Sequence, residues 1–433
     1  MREGREVWIT GAGMVSPLGG SLEASWRGVR EGRTGIARHP RPEGSSFPER
    51  FLYRGEIAGF EEPPEGSPKL ASQRKFLNRS SILGLHAVRE ALARSGADPA
   101  ALPPERKSLY VGAGDFTRLG SLEFYSALRQ TAGPDWKAPE AGALNEAVLH
   151  QVNPFFLLEG LTNNIFSYLT AQYEMMGPNG SFSSLSATGS QALECCERVL
   201  RMGEADLGIA VGCGSWSNPI ILFELEGLGI LSQARDGAAS FRPFDRRRDG
   251  FFPAEGAAAL VLEPAEIARA RGARPLGRIL GTGNFQELSP ERSLAAPREA
   301  AGKACRVALA ESGLGAGEMA FVLPHGSGTP GGDAAELAAL KSFFEAEGAS
   351  LPLSGLKPYT GHMGAASDLG EILFGLKALE EGSLPPTPGF ERADPGLEGL
   401  DIPSAPRSVK GAAFLSLSLG LGGQASALVV ALP

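Results

Sequence analysis

The chain has 433 residues, 42% of them apolar and 21% charged, with a formal net charge of −8. That composition is globular and rules out a wholly disordered chain. The acidic balance disfavours a nucleic-acid binder, and 58 glycines without a G-X-Y period exclude collagen while pointing to tight turns and close backbone approach. Length alone suggests about three domains at roughly 150 residues each, or fewer if one fold runs long.

The chain opens on VWITGAG, a short apolar strand ending in glycine. The dinucleotide fingerprint fails there. After Gly11 and Gly13 its third position holds Ser16, so the run reads as a tight turn leaving a buried strand. The charged start, with Arg2, Glu3, Arg5 and Glu6, does not read as a signal peptide. Gly- and Pro-rich stretches at 40–68 and 385–408 read as surface excursions, and 114–178 as an insertion of helices and loops.

A weak internal repeat follows. LHAVREALARSG at 85–96 and GKACRVALAESG at 302–313 match at Ala87/Ala304, Arg89/Arg306, Ala91/Ala308, Leu92/Leu309, Ala93/Ala310, Ser95/Ser312 and Gly96/Gly313. Each segment predicts a helix closed by a glycine C-cap, with an apolar strand after it. GAAALVLEP at 256–264 likewise rhymes with ASALVVALP at 425–433. Together these predict two related α/β halves sharing one core, with largely parallel, buried sheets. We place the halves at 1–265 and 266–433. Residues 412–432 carry no Asp, Glu, Lys or Arg, yet their period of two around Gly420, Gly422 and Gly423 predicts strand, turn, strand rather than a membrane span.

There are four cysteines, Cys195, Cys196, Cys213 and Cys305, and no CxxC. Zinc and redox motifs lose their signature, and a reduced, cytoplasmic protein is the simplest expectation. Among the five histidines, His39, His86 and His150 read as surface or packing residues. His325 and His362 differ. They lie in the Gly-rich turns HGSGTPGGD (325–333) and KPYTGHMGAA (357–366), the kind of loop where α/β folds place reactive groups. No clustered spacing supports a metal. In GPNGSFSSLSATGSQALECCERVLRMGEAD (177–206) a helix starts after Ala187. On pattern alone Ser183, Ser184 and Ser186 cap it, although the Ser186 hydroxyl would also sense the positive helix end.

The motifs in order resemble a type II β-ketoacyl-acyl carrier protein synthase of the thiolase superfamily. ITGAGMVSPLG with WRGVREGRTGI resembles its opening, and PFDRRRDGFFPAEGAAALVLE (243–263) its middle. HGSGTPGGDAAE, KPYTGHMGAA and SLGLGG resemble its C-terminal active-site loops. The resemblance implies a thiolase-like five-layered αβαβα fold built by duplication, with the nucleophile position in the first half and the two histidines in the second. It implies no cofactor. It assigns His325 and His362 to polarising a malonyl thioester carbonyl, and Lys357 to pairing with Glu336 beside His362. Asp333 would support the His325 loop, and Ser327 and Thr329 would bind pantetheine. The N–H groups of Ser186 and Leu421 would form a second oxyanion hole. Leu419, Leu421 and Gly422 would form the acyl gate.

The chain departs from the family at two places. The nucleophile motif Ser-Thr-Ala-Cys-Ala-Ser/Thr-Gly becomes Ser183-Ser184-Leu185-Ser186-Ala187-Thr188-Gly189, so Ser186 stands where the catalytic cysteine would be. The gate Phe-Gly-Phe-Gly-Gly becomes Leu419-Gly420-Leu421-Gly422-Gly423, followed by Gln424-Ala425. A serine hydroxyl needs a general base that a thiolate does not, so condensation should be slow or lost. Decarboxylation depends on the histidines and the oxyanion hole and needs no nucleophile. The sequence therefore leaves three modes open. They are condensation through Ser186, acyl transfer or malonyl decarboxylation without condensation, and a non-condensing partner subunit resembling a chain-length factor. The expected partners are acyl carrier protein or acyl-CoA and a second ketosynthase chain, as homodimer or heterodimer through strand 207–213. No nucleic acid and no membrane are expected. Arg74, Lys75 and Arg79 are the expected carrier-docking residues.

Overall fold

The computed structural model describes residues 4–42, 46–60, 68–113, 124–159, 161, 163–183, 187–288, 296–395 and 397–433. Two sheets dominate. The first contains β1 (Val7–Val15), β2 (Lys107–Ala113), β3 (Gly180–Ser183), β4 (Leu207–Ser215) and β5 (Glu255–Pro264), in the order β1-β5-β4-β2-β3. The second contains β6 (Arg278–Gln286), β7 (Phe321–Leu323), β8 (Ala413–Gly420) and β9 (Gln424–Ala431), in the order β6-β9-β8-β7.

Strand directions repeat as well as order. In each sheet the first two pairings are antiparallel and the next is parallel. β3 adds one more parallel pairing to the first sheet. The expected largely parallel sheets are therefore mixed. The two hydrophobic runs 256–264 and 425–433 return antiparallel between their neighbours, which alternation of helix and strand along the chain does not show.

Helices sandwich these sheets in five layers. α1 (Arg79–Ser95) covers the outer face of the first sheet. α2 (Thr188–Arg201) and α5 (Ala365–Glu381) lie between the sheets. α3 (Arg298–Ser312) and α4 (Pro330–Glu347) cover the second sheet. α1 is started by the Asn78 side chain, which accepts the Ser81 N–H, and is stopped by Gly96 at φ 63°. α3 stops the same way at Gly313, φ 73°.

The repeat is also a packing repeat. A Cβ on Gly11 would lie 2.2 Å from the Ala91 carbonyl oxygen, and one on Gly13 would lie 2.1 Å from that of Ala87. A Cβ on Gly281 would lie 2.0 Å from the Ala308 oxygen, and one on Gly283 would lie 2.3 Å from that of Ala304. The same two alanines of each repeated helix thus seat the same glycine pair of each first strand. Glycine is required because the backbones touch.

Residues 412–432 form the expected hairpin, with Ser418 opposite Ser426 and Gly420 opposite Gln424. Among the described residues no helix is long and apolar enough to cross a membrane. Of the insertion, the described part carries helices Tyr125–Ala132, Ala141–Gln151, Phe156–Glu159 and Asn164–Tyr173. The excursions at 40–68 and 385–408 are less superficial than expected. Phe51, Leu52 and Thr387 are buried, Gly55 bridges to Ala254, and the Thr387 hydroxyl accepts the Gly355 N–H at 2.9 Å. Strand 207–213 is not an edge. It lies within β4, paired on both sides, and among the described residues the end strands of that sheet are β1 and β3.

Candidate active site

β7 ends at Leu323, and the chain turns through His325 to Thr329 before α4 begins. The turn needs glycine at 326 and 328, with φ of 55° and 74°. Two carboxylates of α4 hold it. Glu336 accepts the N–H groups of His325 (2.6 Å) and Gly326 (2.9 Å). Asp333 accepts the Gly328 N–H at 2.9 Å, the Ser327 hydroxyl at 3.2 Å and the Phe244 N–H at 2.7 Å. Asp333 thus holds the turn after His325 and ties it to the 243–263 segment. The Ser327 and Thr329 hydroxyls lie 2.8 Å apart.

Glu336 is not the partner of Lys357. The Lys357 ammonium donates to both oxygens of Glu371 at 3.0 Å and to the His325 carbonyl at 2.5 Å. Both oxygens of Glu336 are already engaged by backbone N–H groups, whereas α5 runs past Lys357 and presents Glu371 to it. Asp368 and Glu371 are two buried carboxylates of α5 that the motifs missed. Their signal was a pair of acids three residues apart in the otherwise uncharged first three turns of α5.

His362 is placed by its own backbone, its N–H donating to the Phe252 carbonyl at 2.9 Å. Its ring stacks on Trp216 with centroids 4.7 Å apart and meets Phe251 at 4.8 Å. The Nδ1 atom accepts the Gly364 N–H at 3.2 Å, so in the neutral ring the hydrogen sits on Nε2. The His325 and His362 rings meet edge to face at 5.4 Å.

Burial, with the Lys357 charge behind it, holds both imidazoles well below the usual histidine range. They are neutral N–H donors at neutral pH. Burial pushes Glu336 up to about 8, against the two N–H donors that favour its ionised form, and Glu371 up to about 7, against Lys357. Asp333 rises to about 6 for the same reason.

The two imidazoles form part of the wall of a cavity of about 390 Å³ that also takes in Ser327, Thr329, Leu419 and Leu421. Its lining combines the two imidazoles and two hydroxyls with Leu419 and Leu421 of the 419–423 turn. Ser186, its neighbours Ser184 and Leu185, and the oxyanion role of the Ser186 N–H lie outside the described residues. The helix that follows them is described, and its start is tightly seated: a Cβ on Gly189 would lie 2.3 Å from the Ala365 carbonyl oxygen. Burial pushes the Cys195, Cys196 and Cys305 thiols up, the direction that disfavours a nucleophilic thiolate. Among the described residues no group of His, Cys, Asp and Glu forms a metal cluster.

The expected docking trio separates. Arg79 clamps the buried Glu255 at 2.8 Å, donates to the Ile57 carbonyl at 2.7 Å and lies over the Phe60 ring, so it is structural. Lys75 lies over the rings of Phe76 and Phe155.

Comparison with known proteins agrees with this architecture. The chain matches the β-ketoacyl synthase N-terminal domain over residues 4–268 and the C-terminal domain over 276–391. It is 29% identical over 429 residues to the 3-oxoacyl-[acyl-carrier-protein] synthase 2 of Vibrio cholerae, covering 98% of each chain. It is 30% identical over 440 residues to the actinorhodin polyketide putative β-ketoacyl synthase 1 of Streptomyces coelicolor, covering 98% of this chain and 88% of the other. Among solved structures, a β-ketoacyl synthase from Burkholderia phymatum superposes with a TM-score of 0.81 at 26% identity, covering 99% of this chain and 100% of the other. A type II polyketide ketosynthase, solved with its acyl-carrier protein, superposes with a TM-score of 0.83 at 22% identity over the whole of both chains and shows the same fold. The five layers, the histidine loops and these matches agree, and the chain belongs to the β-ketoacyl synthase family.

Proposed function

We propose that this protein acts on carrier-bound or CoA-bound acyl and malonyl thioesters in fatty-acid or polyketide-type biosynthesis, and that its main chemistry is decarboxylation or acyl transfer rather than efficient condensation. The observation that carries this reading is the pair of buried, neutral imidazoles on one cavity wall. Two N–H donors aimed at a thioester carbonyl oxygen stabilise the negative charge that collects there. As the malonyl C–C bond breaks, its electron pair becomes the enolate, carbon dioxide leaves, and the carbonyl oxygen takes the charge. Burial, with the Lys357 charge behind His325, keeps both rings from protonating. Ser327 and Thr329 provide hydroxyls for the pantetheine arm, and Leu419, Leu421 and Gly422 form the acyl entrance. The two sheets support treating 1–265 and 266–433 as its two units.

Carrier protein is the proposed macromolecular partner. A second ketosynthase chain is the other, paired through β3, an end strand of the first sheet. The alternative is a chain-length-factor-like partner subunit, favoured by the serine at position 186. Intact mass after incubation with acyl-carrier protein, run beside a carbon dioxide release assay with malonyl-carrier protein, separates the readings. Carbon dioxide release, with or without an acyl adduct on Ser186, supports the enzyme. Neither product would leave the partner subunit as the function. Ser186→Cys should restore or strongly raise condensation if the nucleophile is the only missing part.

A further inference from the structure

The two imidazoles are held unequally. Among the described residues the Nδ1 atom of His325 is buried without a hydrogen-bond partner, whereas that of His362 accepts the Gly364 N–H at 3.2 Å. A nitrogen that accepts cannot carry the hydrogen, so this contact is what leaves Nε2 as the donor of His362. It lies at the long end of the hydrogen-bond range, and rotation about two side-chain bonds can turn the ring away from it.

Trp216 follows β4 directly and is 3% exposed. Its indole lies flat on the His362 ring, 16° from parallel. The same indole covers Gly364, where a Cβ would lie 3.0 Å from its Cε2 and Nε1 atoms. Gly364 takes φ 60°, the left-handed conformation that turns the chain into α5. One side chain therefore packs against both the ring and the residue whose N–H selects its tautomer. The backbones are tied together as well. The Trp216 N–H donates to the Ala254 carbonyl at 3.2 Å, and the Ala254 N–H donates to the His362 carbonyl at 2.9 Å. Residues 252–254 thus fix the spacing between indole and imidazole. Phe251 meets the ring tilted by 43°, so it bounds the ring without stacking on it. Trp216, Phe251 and His362 all line the cavity.

We propose that Trp216 is a positioning residue for the chemistry at the thioester carbonyl, its indole holding the His362 ring in one plane and one tautomer so that Nε2–H is a fixed donor. The proposal rests on reading His362 as a donor to that carbonyl oxygen. A donor that must first turn, or exchange its hydrogen, stabilises developing charge less than one already in place.

The test uses the full chain with isotope-labelled histidine nitrogens. Proton–nitrogen correlation spectra at neutral pH read the tautomer of His362, whose signals are identified by their loss in His362→Gln. The parent should carry hydrogen on Nε2 alone. Trp216→Leu and Trp216→Met keep an apolar side chain without a flat face and should show both tautomers. Trp216→Phe keeps a flat face and should show Nε2–H alone. No turnover is involved, so loss of decarboxylation alone would count against the proposed function and leave this inference standing. Where malonyl-CoA is decarboxylated, kcat should fall about tenfold in Trp216→Leu at an unchanged KM, and Trp216→Phe should stay close to the parent. Both tautomers in the parent overturn the proposal, even if the Leu and Met variants do not fold. Nε2–H alone in those two variants, or the same mixture in Trp216→Phe, also overturns it, as does an equal loss of kcat in Trp216→Leu and Trp216→Phe.

Discussion

The two sheets are built alike and used differently. In both, the outer helix seats a glycine pair of the first strand on two alanine carbonyls, and strand order and direction repeat. The loops after the strands do not repeat. In the second half they carry His325, Lys357 and His362, each with buried partners. In the first half the described counterpart is a helix whose first N–H groups meet Asp368. Packing tolerates only one solution where backbones touch. A loop is held by a few hydrogen bonds and can change its chemistry without disturbing the layers.

The comparison can be broken most severely at the packing repeat. Gly11→Val and Gly281→Val, at equivalent positions of the repeat, should each destabilise the protein by several kcal/mol or abolish folding, because either side chain drives into a helix backbone. The two should cost similar amounts by chemical denaturation. A large cost at one and none at the other would mean that the halves are not mechanically equivalent.

The functional asymmetry is probed by His325→Ala. It should lower malonyl decarboxylation by about 10²-fold, by analogy with loss of an oxyanion-hole donor, while leaving the melting temperature close to that of the parent. Decarboxylation absent in the parent and indifferent to the substitution would mark the histidines as relics, and the halves would then be alike in having lost their chemistry.

The smallest effect concerns Glu336 and pH. Its carboxyl is raised to about 8 in the folded chain. The folded state therefore holds a proton that the unfolded state, with an ordinary value near 4.3, has released. Between those values the folded state binds more protons, so this group's contribution falls as pH rises. The stability of the parent relative to Glu336→Gln should decline from pH 5 to pH 8 by about 1 kcal/mol or more. An advantage that grows with pH would show that the two N–H donors outweigh burial and that Glu336 is ionised throughout.

Much of this was legible in the sequence. The repeated helices, their glycine caps and the 413–431 hairpin follow from local patterns, and the Gly-rich loops announced both histidines. What escaped was decided by distant packing. Lys357 chooses Glu371 over Glu336 because of where α5 runs, and nothing near Lys357 records that path. Strand 207–213 looked like an edge by its apolarity, but central and edge strands differ in their neighbours rather than their letters. Arg79 read as a surface cation until Glu255, far along the chain, was seen beneath it. Trp216 gave no signal at all, since stacking on His362 depends on two loops from different halves.

The pairing of Val7 with Pro264 has a consequence for how the chain is made. β1 waits for a neighbour encoded about 250 residues later, which at roughly 5–20 residues per second means tens of seconds on the ribosome. Until Glu255–Pro264 emerges, the first sheet lacks the strand that joins β1 to β4, and two apolar strand edges stand open together. Contacts this distant in sequence slow folding and prolong exposure to aggregation. Soluble yield should therefore depend on growth temperature and chaperone supply more than on the final stability of the folded protein.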